Sequence, residues 1–139
     1  MGRDIVMTQK DIREVQLAKA AIYTGASSLM DHTGNSPEDI QTVYVAGAFG
    51  NYIDFRSAKT IGLIPDIPIE RLRFIGNAAI TGAKLSLISR SSRQLAEHVA
   101  QKVRYVELTC TPGFNQRYMD ATYLPHRDPS RFPSVRLPD

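Results

Sequence analysis

Cysteine is almost missing: the 139 residues hold one, Cys110. A single thiol excludes an internal disulfide and any cluster held by several cysteines of the same chain. No apolar run approaches the ~20 residues that a membrane-crossing helix needs. Met1-Gly2-Arg3-Asp4 opens without the apolar stretch of a secretion signal, and Gly2 lacks the downstream Ser or Thr of a myristoylation signal. The expectation is a cytoplasmic protein with no membrane partner. His32, His98 and His126 have no metal-ligand spacing. There is no internal repeat and no heptad. The formal charge of +3 is small, which argues against nucleic acid as a partner.

What remains is enough for one ordinary domain, with 42% hydrophobic and 22% charged residues. Thr8 with Asp11 three residues later reads as a capping box. Ile12, Val15, Ala18, Ile22, Gly25 and Leu29 follow at helical spacing. Much of that region is small (Ala18, Ala21, Gly25, Ala26), which allows close approach to a neighbouring element, and Gly34 is a natural stop. Val43-Tyr44-Val45-Ala46 is a short apolar run without alternation, the pattern of a strand buried on both faces. Asp54 caps a short helix from Phe55 to Ile61, ended by Gly62. Leu72-Arg73-Phe74-Ile75 reads as a second strand, and Asn77 as the cap of a helix from Ala78 to Ile88. A further helix follows, with Leu95, Val99 and Val103 on its buried side. Tyr105-Val106-Glu107-Leu108 reads as a third strand, and Phe114, Tyr118 and Ala121 as one helical face. Pro125, Pro129, Pro133 and Pro138 alternate with arginines, so residues 125–139 are expected to bury little and to run extended or disordered. Helices alternating with short apolar strands predict an α/β fold with a short, mostly parallel sheet flanked by helices.

Two strands end in glycine. One exit reads Ala46-Gly47-Ala48-Phe49-Gly50-Asn51, the other Ile75-Gly76-Asn77-Ala78. In open α/β sheets ligands bind at the carboxyl ends of the strands. Glycine there admits unusual backbone angles and lets a ligand approach without meeting a Cβ, and a helix N-terminus adds free N–H groups and partial positive charge. Two neighbouring exits make a cleft able to hold a nucleotide, although glycine after a strand also serves as plain turn chemistry. Neither exit matches the dinucleotide fingerprint or the P-loop. Around them, Asp54 reads as a helix cap more than a ribose or magnesium contact. Lys59 and Lys84 read as solvated, Cys110 as a buried inert thiol, and His98 as exposed.

Several separated blocks resemble, in order, the reductive activators of corrinoid proteins. They are Asp11-Ile12-Arg13-Glu14-Val15-Gln16-Leu17-Ala18-Lys19-Ala20-Ala21-Ile22, Val45 to Ile53, Ile61-Gly62-Leu63-Ile64-Pro65-Asp66, Gly76 to Ala83, and Tyr105-Val106-Glu107-Leu108. The resemblance runs from about Asp4 to Pro125. It implies part of an actin-like (ribonuclease H-like) ATPase domain, in the superfamily of acetate and sugar kinases, heat-shock chaperones and actin. Residues 1–124 would be the C-terminal subdomain and 125–139 a Pro/Arg-rich tail. Full-length members carry an N-terminal iron–sulfur domain, use ATP with magnesium, and return inactive cob(II)alamin proteins of methyltransferase systems to the cob(I) state. The resemblance implies an adenosine segment over Ala46 to Asn51 and a connecting helix over Gly76 to Ala83; with the glycine exits, the expected nucleotide contacts are Gly47, Ala48, Phe49, Gly50, Asn51, Gly76 and Asn77. It implies a corrinoid protein as partner, and a homodimer is expected because a half-domain with exposed sheet surface tends to self-associate.

This chain departs from the full pattern. It has neither the iron–sulfur cysteines nor the phosphate-binding hairpins with their catalytic and magnesium-holding aspartates, so no catalytic or metal-ligating residue is assigned. Alone it is expected to bind ATP weakly or not at all. A non-catalytic module that dimerises or docks on a corrinoid protein is the competing expectation, and a small kinase-like protein completed by a second polypeptide is a third.

Overall fold

A computed structural model describes residues 5–47, 50 and 52–136. A 25-residue helix, α1 (Gln9–Thr33), opens the fold. Its start is the expected capping box: Asp11 N–H donates to the Thr8 hydroxyl, and Thr8 N–H donates to the Asp11 carboxylate at 2.8 Å. Gly34 closes it in the left-handed region, at φ +69°. Strand β1 (Val43–Val45) leads through α2 (Phe55–Thr60) to β2 (Leu72–Phe74). The two strands pair in parallel, Val43 with Leu72 through Val45 with Phe74. The parallel pairing follows from the intervening crossover, as the alternation of elements predicts. Asp54 caps α2 and Asn77 caps α3 (Ala78–Ile88), again as expected. Helices α4 (Arg90–Lys102) and α5 (Phe114–Ala121) complete the regular elements. None of the described helices is long and apolar enough to cross a membrane.

Several expectations are corrected. Tyr105 to Leu108 is not a strand among the described residues: residues 103–107 run without a ladder and enter a single 3₁₀ turn at Leu108–Cys110. Local bonds hold this segment instead, with Tyr105 and Thr109 hydroxyls both donating to the Glu107 carboxylate. Such side-chain bonds compete with sheet pairing where no neighbouring strand is offered. Strand β1 is not buried on both faces, since Tyr44 is 66% exposed, and Leu95, Val99 and Val103 of α4 are exposed as well. Cys110 is exposed too.

A further correction concerns the tail, which packs. Phe132, 2% exposed, joins Ala20, Tyr23 and Ala121 in the buried core. Its ring lies 5.4 Å from that of Tyr23 and 6.4 Å from that of His126, and the Tyr23 and His126 rings are 5.3 Å apart. Proline limits the chain's freedom before folding, so one aromatic anchor suffices to hold such a segment down. The face that α1 buries is set by this cluster. Lys19, Ala20, Tyr23, Thr24, Ser27 and Ser28 are buried, whereas Val15, Ile22 and Leu29 of the apolar stripe stay exposed. Helices α1 and α5 pack together, and Ala20 of α1 and Ala121 of α5 are both fully buried in the same cluster.

Polar contacts fix the tail at two further places. Lys59 is not solvated: its ammonium lies 3.0 Å from the Asp66 carboxylate, and both side chains are largely covered. Asp66 also accepts from the Ser134 amide at 2.8 Å and the Ser134 hydroxyl at 2.5 Å. Burial alone would raise the Asp66 pKa, but the bonds from Ser134 and Lys59 outweigh it and hold the carboxyl below its ordinary value. At the other place, Gly62 adopts φ +76° and sits directly under the Pro125 carbonyl, where no Cβ would fit.

Candidate nucleotide site

The β1–β2 ladder does not stop at the last paired residues. Ile75 N–H donates to Val45 O at 3.1 Å, and Gly47 N–H donates to Gly76 O at 2.8 Å. The two glycine exits are therefore bonded to each other at the carboxyl end of the sheet. Gly47 lies at φ +95° and Gly76 at φ +64°, angles that side-chain-bearing residues rarely adopt. A Cβ built at either position meets nothing within 4 Å. Both bends thus present bare backbone to open space, side by side.

The α3 N-terminus adjoins them. Gly76 O accepts a second bond from Ala78 N–H at 3.0 Å, and Asn77 Oδ1 accepts from Ile80 N–H at 3.1 Å. The Asn77 side chain is thus engaged as a cap, and its oxygen is turned to the helix. Gly50 has a different requirement for glycine: a Cβ there would lie 2.5 Å from the Phe74 ring and 2.9 Å from Val45 Cγ1. Its missing side chain lets this turn close over β1 and β2. Ala48, Phe49 and Asn51, also expected at the site, lie outside the described residues.

Asp54 follows the first exit but serves α2. Its carboxylate accepts from the Ser57 amide at 2.8 Å and the Ser57 hydroxyl at 2.7 Å, and those bonds hold its pKa below the ordinary value. Among the described residues no three His, Cys, Asp or Glu side chains gather where a metal ion could be held.

Beside the sheet, an apolar cavity of about 450 Å³ separates α1 from β1 and α2, lined in part by Ile22, Ala26, Val43, Val45 and Leu63. Here lies part of the stripe read from the α1 sequence. A feature that the sequence reading passed over is Lys19, 1% exposed, whose ammonium donates to Tyr123 O at 2.5 Å and Pro125 O at 2.6 Å. Desolvation lowers its pKa to about 8. The one available signal was its setting, a single cation among Ala18, Ala20 and Ala21.

With this geometry in view, the chain was compared with known proteins. A family model described as the C-terminal domain of RACo, the ASKHA domain, matches residues 1–136. A corrinoid activation enzyme, RamQ, of Eubacterium limosum is 46% identical over 118 residues, covering 85% of this chain and 20% of the relative. A [Co(II) methylated amine-specific corrinoid protein] reductase of Methanosarcina barkeri is 26% identical over 121 residues, covering 86% and 22%. Among solved structures, a reductive activator for corrinoid, iron–sulfur protein superposes with a TM-score of 0.88 at 38% identity, over 96% of this chain and 21% of that one. The chain spans about a fifth of the length of these relatives.

Proposed function

Because this chain belongs to the family of RACo C-terminal ASKHA domains, we propose that it supplies part of the nucleotide site of an ATP-dependent activator that reduces inactive Co(II) corrinoid proteins. One observation carries the reading: the Gly47–Gly76 hydrogen bond sets two Cβ-free bends side by side at the sheet's carboxyl end. A flat nucleoside approaching there meets backbone and no side-chain bulk. The names of the relatives support the corrinoid protein as the partner served.

The described residues fit the nucleoside end of ATP and do not fit its metal. Gly47 and Gly76 offer bare backbone facing open space. Among the described residues no group of three His, Cys, Asp or Glu gathers to hold magnesium, and the nearest carboxylate in sequence, Asp54, is occupied by its cap. Phosphoryl transfer needs metal and charge positioned around the γ-phosphate. The proposed division is therefore that this segment holds adenosine, while the phosphates, the metal and the iron–sulfur electron carrier belong to other parts of the activator. When bound, ATP supplies the free energy for the uphill electron transfer.

Calorimetric titration with ATP and magnesium tests the reading. The chain alone is expected to bind weakly or not at all, and an activator carrying this segment to bind and hydrolyse ATP. ATP turnover by this chain alone would overturn the assignment.

A further inference from the structure

Between α1, α5 and the tail lies a polar cavity of about 140 Å³, lined in part by Thr24, Ser27, Arg117, His126 and Arg131. Neither glycine exit contributes to it. Thr24 is fully buried, yet among the described residues nothing answers its hydroxyl. A buried hydroxyl without a partner costs its desolvation and gains no bond in return, so its place on the cavity wall points to a ligand. Ser27, 5% exposed, brings a second hydroxyl from α1. Arg117 commits one arm to Asp31 at 2.6 Å, and Arg131 reaches Asp128 at only 4.0 Å, so both guanidiniums keep N–H groups for the cavity. His126 Nδ1 accepts from the Asp128 amide at 3.0 Å, which leaves the hydrogen of the neutral ring on Nε2 as a further donor. Burial and the nearby Arg131 hold that ring below its ordinary pKa. The two carboxylates of the lining are already engaged. Asp120 accepts from Gln116 at 2.9 Å and Arg127 at 3.3 Å, and Asp128 from the Ser130 amide at 3.0 Å and hydroxyl at 2.7 Å. The lining therefore holds donors in surplus.

We infer that this cavity binds a small tetrahedral oxyanion of the phosphate or sulfate class, held by the hydroxyls of Thr24 and Ser27 and the guanidiniums of Arg117 and Arg131. Arginine forks and hydroxyls are the donors that such ions take. The volume sets the size: about 140 Å³ is the room of roughly four or five waters at about 30 Å³ each. One such ion fits, and a nucleoside, which needs about 300 Å³ or more, does not. The shape follows from where the donors stand. They come from α1, from α5 and from the tail, on different sides of the cavity, which suits four oxygens better than a planar carboxylate. Bound there, the ion ties the tail to both helices and acts as a clasp on the packed segment. The site needs neither ATP nor the glycine exits.

Calorimetric titration of this chain with inorganic phosphate, without nucleotide or magnesium, is the test, so failure of ATP binding leaves it unaffected. Phosphate should bind one to one, and at about 10 mM it should raise Tm by about 5 °C over sodium chloride of the same ionic strength. Thr24→Val keeps the shape of the side chain and removes the orphan hydroxyl. Without phosphate it should match or exceed the wild-type Tm, and it should bind phosphate at least about 10-fold more weakly. Arg131→Met should weaken binding by a similar factor; if that variant does not fold, Thr24→Val decides alone. Arg127→Met, an exposed arginine outside the lining, should bind phosphate as the wild type does. A Tm gain no larger than that of chloride, or full affinity in Thr24→Val, overturns the inference. Equal losses in Arg127→Met also overturn it, because phosphate is then a diffuse counterion. Acetate binding more tightly than phosphate overturns the tetrahedral assignment in favour of a carboxylate.

Discussion

The ammonium of Lys19 donates to the carbonyl of Pro125, 2.6 Å away and 106 residues along the chain. The same nitrogen reaches Tyr123 O. One buried cation on α1 therefore holds the segment leaving α5 without a carboxylate among its hydrogen-bond partners, and its charge is taken out of water for the sake of two backbone acceptors.

That arrangement makes stability depend on pH in a defined direction. Desolvation lowers the Lys19 pKa to about 8 in the fold, against an unfolded value near 10.4. Between these values the unfolded chain binds the proton and the folded chain does not, so stability rises with pH. The contribution is complete above the unfolded value and is lost as pH falls through about 8. Lys19→Met removes this dependence. Urea denaturation at pH 7.5 and pH 10 should show the wild type gaining stability relative to Lys19→Met at the higher pH. A constant difference between the two proteins at both pH values would refute the effect.

The approach of Gly62 to Pro125 gives a second prediction with an internal control. Gly62→Ala meets two obstacles, a left-handed backbone and the Pro125 carbonyl. Gly113→Ala meets only the first, since φ is +79° there and its Cβ enters open space. The control should cost about 1 kcal/mol, and Gly62→Ala about 2 kcal/mol more, because backbone on both sides must give way. Equal losses in denaturant melts would mean that the tail yields freely at Pro125.

Much of this architecture was legible in the sequence because it is locally determined. The Thr8–Asp11 box, Gly34, the Asp54 and Asn77 caps and the parallel strands rest on chemistry within a few residues. The pairing of the glycine exits was also legible, because strands joined by one crossover end on the same edge. Burial was harder to read. The stripe containing Val15 and Ile22 and the α4 positions Leu95 and Val99 have the spacing of buried faces, but nothing among the described residues covers them. Conversely, Lys59 and the Pro-rich tail read as solvated and Lys19 drew no reading, yet all three are buried because of partners that lie elsewhere along the chain, which no local pattern reveals.

The glycine exits carry the functional prediction. In an activator containing this segment, Gly47→Val and Gly76→Val place branched side chains where the structure leaves backbone bare. Each should weaken ATP binding at least about 10-fold, or 1.4 kcal/mol. Gly34→Val is the control: φ is +69° and its Cβ also enters open space, but it lies at the far end of α1. It carries the backbone strain without touching the site. Calorimetry on the three variants separates the roles, and equal losses in all three would reduce the exits to turn chemistry.

Phe132 is the strongest test of the packed tail. Its ring is buried in the core, tilted against those of Tyr23 and His126. Phe132→Ala removes a buried ring and leaves a cavity, at a cost of about 3–5 kcal/mol. Because the tail is also held by Lys19 at Pro125 and by Asp66 at Ser134, local release should precede global unfolding. Trypsin reports the difference, since Arg127, Arg131 and Arg136 all lie along the segment. Under native conditions the variant should be cut there well before α1 is attacked, while the wild type resists at the same enzyme ratio. Early cleavage of the wild type at Arg131 would show that the aromatic cluster does not anchor the tail.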